Sequence, residues 1–115
     1  MFLLGLGSNL SSSFGDRFEN LNLATSYLET YKIKIIKRSS FYETPSYPDI
    51  KNPKFINIVV EVSTYLPPED LASVLIFVEE KLERKRNKKN EPRTCDIDIV
   101  DYNGKIMDFN YKNLI

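Results

Sequence analysis

The chain has 115 residues, room for one domain with a core of its own and not for two. Sixteen basic residues balance sixteen acidic ones, which argues against a protein that coats nucleic acid or membrane through bulk charge and makes any electrostatic specialisation local. A single cysteine and no histidine exclude an intrachain disulfide, nucleophilic triads and histidine acid–base catalysis, and they fit a reducing cytoplasm.

The apolar opening lacks a basic leader and reaches Gly7-Ser8-Asn9 too early for a signal peptide, and no later run approaches membrane length. Phe2 to Leu6 reads as a short buried strand followed by a loop through Gly15. Asp16, with Glu19 three residues on, has the pattern of a helix capping pair. Phe18, Leu21, Thr25 and Leu28 then recur at helical spacing as far as about Tyr31. Lys32 to Glu43, where Ile33 and Ile35 alternate with lysines, predicts a strand ending at Thr44-Pro45, and Pro45, Pro48 and Pro53 predict a loop.

Between Phe55 and Tyr65 the alternation is strict. Ile56, Ile58, Val60 and Val62 share one strand face, and Phe55, Asn57, Val59 and Glu61 share the other. Pro67-Pro68-Glu69-Asp70 opens a second helix with the apolar stripe Leu71, Val74, Leu75, Val78 and Leu82. Cys95 to Tyr102 predicts a strand, and Asn103-Gly104 a hairpin turn into Lys105 to Phe109. The order β-α-β-β-α-β-β contains the β-α-β-β-α-β core of a ferredoxin-like α+β fold, an antiparallel sheet with helices on one face and the other face open to a ligand.

In the strand from Cys95 to Tyr102, Asp96 and Asp98 point to the face opposite Cys95, Ile97 and Ile99, about 7 Å apart at Cα. Two such carboxylates suit magnesium, which combines one or two of them with water and phosphate oxygens; the same alternation also describes a half-exposed strand. Lys81 to Arg93 holds seven basic residues (Lys81, Arg84, Lys85, Arg86, Lys88, Lys89 and Arg93) against Glu83 and Glu91, a local excess of five charges. This run is either a solvated helix end or, because it leads into the aspartates, a clamp for a polyphosphate. Gly5 and Gly7 fail both glycine-rich nucleotide fingerprints, leaving turn geometry or a backbone role at a site. Phe55 and Asn57 offer a plane and an amide to a flat heterocycle, with burial of Phe55 as the alternative. Cys95 is read as a small core residue.

Taken together, GLGSNL at 5–10, SSFYETP at 39–45, FINIVVEV at 55–62 and PRTCDIDI at 92–99 resemble the 6-hydroxymethyl-7,8-dihydropterin pyrophosphokinases of folate biosynthesis over essentially the whole chain. The resemblance implies pyrophosphoryl transfer from ATP to the hydroxymethyl group of 6-hydroxymethyl-7,8-dihydropterin, releasing AMP. It implies that Asp96 and Asp98 hold two magnesium ions and that Arg84 and Arg93 neutralise the developing charge. Glu79 and Arg86 would join those arginines around the nucleotide. Gly7, Asn9, Thr44, Pro45, Phe55 and Asn57 would form the pterin site, with Phe55 where the family often has tyrosine. Ile76 stands at a position that can carry a polar nucleotide contact, and Asn90-Glu91 stands where the family usually has tryptophan and glycine before PRT. The family continues into a histidine-containing stretch and a second aromatic wall, so this chain is expected to be a C-terminally truncated form, monomeric or self-associating. A non-enzymatic ferredoxin-like module that binds RNA or a protein partner is the alternative reading.

Overall fold

The computed structural model describes residues 2–85 and 91–102. Seven elements follow in order: β1 (Phe2–Ser8), α1 (Arg17–Thr30), β2 (Lys34–Arg38), β3 (Tyr42–Thr44), β4 (Phe55–Ser63), α2 (Pro68–Lys81) and β5 (Asp96–Tyr102). The five strands form one antiparallel sheet in the order β2-β4-β1-β5, with β3 pairing beside β2 along the same edge of β4. Two helices on such a sheet are the ferredoxin-like α+β arrangement expected from the element order.

Alternation decides which side of the sheet is covered. Leu4, Leu6, Ile56, Ile58, Val60, Val62 and Ile97 are all buried and join Leu21, Ala24 and Leu28 of α1 and Leu71, Leu75 and Val78 of α2 in one core. The intervening residues on β4 and β5 are half-buried or exposed, so the helices cover one face and leave the other open. This asymmetry follows from the side-chain period of two.

The helix ends follow their capping chemistry. Asp16 accepts from the Glu19 amide at 2.9 Å, and Glu19 accepts in return from the Asp16 amide at 3.1 Å, completing the reciprocal pair the spacing predicts. Pro67 and Pro68 open α2, where a missing N–H costs nothing. Both helices close with a left-handed residue, Lys32 at φ 71° and Glu83 at φ 68°. Each is followed by a backbone bond to the helix: Ile33 N to Leu28 O at 3.0 Å and Arg84 N to Glu79 O at 3.1 Å.

Three sequence expectations change. The first strand runs on through Gly7 and Ser8, because both pair with Asn57 and Ile56 of β4. The single strand expected over Lys32 to Glu43 is two: Lys32 belongs to the helix cap, a register shift falls between Ile35 and Lys37, and pairing lapses before Tyr42. Phe18, expected on the core stripe of α1, is 39% exposed and packs edge-on against Phe41, while Asn20 and Ala24 take the buried positions. The hairpin turn at Asn103-Gly104 and the strand after it lie outside the described residues.

Ile58→Ala is expected to lower the unfolding free energy by about 2–5 kcal/mol. Glu61→Gln, on the opposite face of the same strand, should cost less than about 0.5 kcal/mol. Urea denaturation measures both, and equal losses would contradict a one-sided core.

Candidate functional site

Glycine at alternate positions of β1 shapes the open face. Gly7 lies between Asn57 of β4 and Asp96 of β5, and Gly5 between Val59 and Asp98. A Cβ on Gly7 would stand 2.9 Å from Asn57 Oδ1 and 3.3 Å from Phe55 Cδ1, and one on Gly5 would stand 3.3 Å from Val100 Cγ2. Neither glycine makes a turn, and neither has a positive φ. Of the two roles open at the sequence level, these positions support the second: a bare backbone strip with side chains rising on both sides.

The result is a depression of about 230 Å³ bordered by Asp96 and Asp98 on one flank and by Phe55, Asn57, Thr44 and Tyr42 on the other. The Asn57 amide donates to Thr44 Oγ1 at 2.9 Å and to the Tyr42 carbonyl at 3.3 Å. With both N–H bonds directed at β3, the oxygen of Asn57 is the atom presented over Gly7. Phe55 is half-buried and stands face-on to the Arg93 guanidinium, 5.7 Å from the ring centre.

Beneath the carboxylate flank, Arg84 joins three acceptors through one nitrogen. Its Nη1 donates to Glu79 Oε2 at 3.1 Å, to Asp96 Oδ1 at 2.8 Å and to the Cys95 carbonyl at 3.3 Å. Glu79 has no exposed surface and also accepts the Ile97 amide at 2.7 Å. The other Asp96 oxygen lies 3.6 Å from Arg93 Nη1. Asp96 is therefore oriented by two guanidinium groups, one of them anchored in the core.

A second, larger cavity of about 680 Å³ opens beside this flank, lined by Leu10 and Ser11, by Glu83, Arg84 and Lys85, and by Glu91 to Thr94. Two ties hold its walls together. Asn20, fully buried on α1, donates to the carbonyls of Leu10 at 3.0 Å and Thr94 at 3.2 Å and accepts from Ser12 Oγ at 2.5 Å. Glu83 accepts from both the backbone and the hydroxyl of Ser13. The Ser13 hydroxyl, then its amide, hold the Glu83 carboxyl below its ordinary value of 4.5, and Lys85 acts in the same direction.

The structure thus gathers Gly7, Thr44, Phe55, Asn57, Asp96 and Asp98 around one depression and places Arg84 and Arg93 at the neighbouring cavity. Asn9 stands differently. Its amide donates to the Pro53 carbonyl at 3.0 Å and accepts the Arg93 amide at 2.7 Å, so it joins the proline loop to the arginine from a buried position. Glu79, expected beside the nucleotide, lines neither cavity; burial puts it under the site, where Arg84 links it to Asp96. Pro45 is exposed beside Thr44 and outside the depression's lining. Arg86 lies outside the described residues. Cys95 is buried in the core, as expected.

Tyr42, Asn20, Glu83 and Ser13 were not singled out by the sequence. Tyr42 had a signal, because it alternates with Thr44 in FYETP and must share its face. The other three meet partners too distant in the chain for any spacing rule.

Among the described residues, no three of His, Cys, Asp and Glu converge closely enough to hold a metal by themselves. A pair of carboxylates on one strand face still fits a hard cation that completes its shell with water and phosphate oxygens. The nitrogen and sulfur donors that zinc prefers do not line the depression.

The family model for 7,8-dihydro-6-hydroxymethylpterin-pyrophosphokinase matches residues 3–114. A 2-amino-4-hydroxy-6-hydroxymethyldihydropteridine pyrophosphokinase from Methylorubrum extorquens is 37% identical over 102 residues, covering 88% of this chain and 62% of that protein. One of the same name from Aquifex aeolicus is 35% identical over 104 residues, 90% of this chain and 62% of that protein. The bifunctional protein FolKE of Lactococcus lactis subsp. lactis is 37% identical over 113 residues, 97% of this chain and 31% of that protein. The chain therefore spans less than two thirds of the length of these relatives.

Replacing Glu79 by leucine should destabilise the fold by about 1–3 kcal/mol, because the buried Ile97 amide would lose its acceptor and Arg84 would keep only Asp96 of its two carboxylate partners. Thermal and chemical denaturation test this, and a loss below 1 kcal/mol would mean that Glu79 is not the anchor of Arg84.

Proposed function

The chain belongs to the 7,8-dihydro-6-hydroxymethylpterin-pyrophosphokinase family, and from that premise we propose that it transfers pyrophosphate from ATP to the hydroxymethyl group of 6-hydroxymethyl-7,8-dihydropterin, giving the pterin diphosphate and AMP. The observation that carries the reading is the depression itself, which sets a dicarboxylate flank against an aromatic ring and an amide across a glycine floor. A flat heterocycle suits that floor. Phe55 supplies one wall, Asn57 Oδ1 accepts from a ring N–H or amino group, and Thr44 and Pro45 offer backbone groups to its edge.

The chemistry asks little covalent work of the protein, so positioning and charge dominate. The pterin hydroxyl oxygen bonds to the β-phosphorus and gives up its proton to solvent as the bond from that phosphorus to the oxygen kept by AMP breaks. Asp96, held by Arg84 and Arg93, orients the hydroxyl. Arg93 and Arg84, with Arg86 in the basic segment, balance the negative charge of the phosphates in the larger cavity. Asp96 and Asp98 would hold magnesium, two ions in the full reading, which supplies charge neutralisation on the phosphate oxygens.

Two small-molecule substrates, a monomeric chain acting as one domain and a cytoplasmic setting complete the reading. No helix among the described residues is long and apolar enough to cross a membrane. An RNA-binding module of the same topology has less support, since two carboxylates flank the open face where phosphates would approach.

Calorimetric titration with a non-hydrolysable ATP analogue and the dihydropterin, with and without magnesium, tests the proposal. Magnesium-dependent nucleotide binding is expected, and RNA binding with neither ligand would overturn it. Asp98→Ala should abolish AMP formation while leaving pterin affinity within about twofold; surviving turnover would refute the metal role. Gly7→Ala should weaken pterin binding at least tenfold by pushing Asn57 and Phe55 aside. Its thermal stability should not fall in proportion, because alanine lowers the backbone entropy lost on folding. Unchanged pterin affinity in Gly7→Ala would show that the floor is not the binding surface.

A further inference from the structure

The end of α2 carries a residue that its backbone does not favour. Glu83 occupies the left-handed position of the helix cap at φ 68°, with its amide bonded to Glu80 O at 2.9 Å and the next amide to Glu79 O at 3.1 Å. Glycine is the residue that fits such a position at no steric cost. Lys32 closes α1 with the same geometry at φ 71°, so the cap itself demands nothing of the side chain. What distinguishes Glu83 is where its carboxylate goes: one oxygen accepts the Ser13 amide at 2.7 Å, and the other accepts the Ser13 hydroxyl.

Ser13 sits at the tip of the loop between β1 and α1, which closes on itself through paired bonds between Ser12 and Gly15 at 2.9 and 3.3 Å. The loop is pinned at its base by the Asn20 bonds to Leu10 O and Ser12 Oγ. Its near side, Leu10 and Ser11, forms one wall of the larger cavity, and Glu83, Arg84 and Lys85 form the facing wall. The bond from Ser13 to Glu83 therefore ties the loop that supplies Leu10 and Ser11 to a residue lining the same cavity 70 positions on in the chain.

We propose that Glu83 is a positioning residue for the nucleotide: its carboxylate straps the loop tip to the end of α2 and holds the Leu10–Ser11 wall against the triphosphate nucleotide that Arg84, one residue on, helps to bind. Unstrapped, the loop keeps its base at Asn20 and loses its tip, so the cavity widens where the nucleotide must be enclosed. The inference rests on the proposed function for the identity of the ligand, and on the hydrogen bonds alone for the strap.

Glu83→Gly is the incisive variant, because it suits the left-handed backbone and deletes only the strap. Glu83→Gln keeps one acceptor oxygen for Ser13 and should fall between the two. In the ligand-free chain, hydrogen exchange at residues 11–14 is expected to quicken about tenfold in Glu83→Gly, with α1 unchanged. Its melting temperature should equal or exceed that of the parent. Calorimetry with the magnesium-loaded ATP analogue should show affinity reduced about fivefold in Glu83→Gly and partly restored in Glu83→Gln, with pterin affinity unmoved. Unchanged exchange at 11–14, or nucleotide affinity within twofold of the parent, overturns the strap. A parent chain that binds no nucleotide overturns the functional reading and this role together, while binding that ignores Glu83→Gly overturns the role alone.

Discussion

Glu79 has no exposed surface, and a carboxylate in such a place persists only if its charge is matched and its lone pairs are used. The match is Arg84, and much of the site's geometry follows from it. Because Arg84 must reach down to Glu79, its guanidinium passes Asp96 at 2.8 Å and the Cys95 carbonyl at 3.3 Å. The second use is the Ile97 amide, which ties α2 to β5 in the middle of the aspartate strand. One buried charge thus sets the height of β5 against the helix layer and the direction of its first aspartate.

The open face depends on the opposite device, the removal of side chains. In a sheet, residues across neighbouring strands stand close enough for their Cβ atoms to touch. With Gly5 and Gly7 central on β1, the flanking strands face each other across bare backbone. Glycine in a strand interior costs roughly 0.5–1 kcal/mol relative to alanine, a cost the one-sided core can bear. The return is a floor flat enough for an aromatic ring, with an acceptor and a carboxylate pair at its two sides.

Arg93, which lines the larger cavity, also reaches two residues that border the depression, Asp96 and Phe55. Arg93 touches Asn9 through its amide, Asp96 through one guanidinium nitrogen and Phe55 through its face. A change in any of these three would be felt at the other two, because one side chain satisfies an ion pair on one side of the sheet strip and a ring contact on the other.

Local chemistry made much of this legible. Strict alternation in β4 assigned Phe55 and Asn57 to the same face, alternation in β5 did the same for Asp96 and Asp98, and both hold. The capping pair Asp16 and Glu19 and the prolines of α2 marked the helix starts correctly, since each signal acts within one helical turn. The strand over Lys32 to Glu43 was misread as continuous because composition carries no trace of a register shift, which arises only from pairing with β4. Gly5 and Gly7 were ambiguous for a related reason: two glycines spell a turn or a floor depending on whether the strand continues beneath them. Leu21, Thr25 and Leu28 of the first helix are buried as their spacing indicates, while Phe18 at the helix start lies at the edge of that stripe and packs against Phe41 instead. The two helices, the strand cores of β1, β4 and β5 and the face each of their residues takes were therefore written in spacings of two to four positions. The Glu79–Arg84–Asp96 chain, the Asn20 ties and the Ser13–Glu83 strap join residues up to 70 or more positions apart, and only the packing of helices on the sheet brings such partners together.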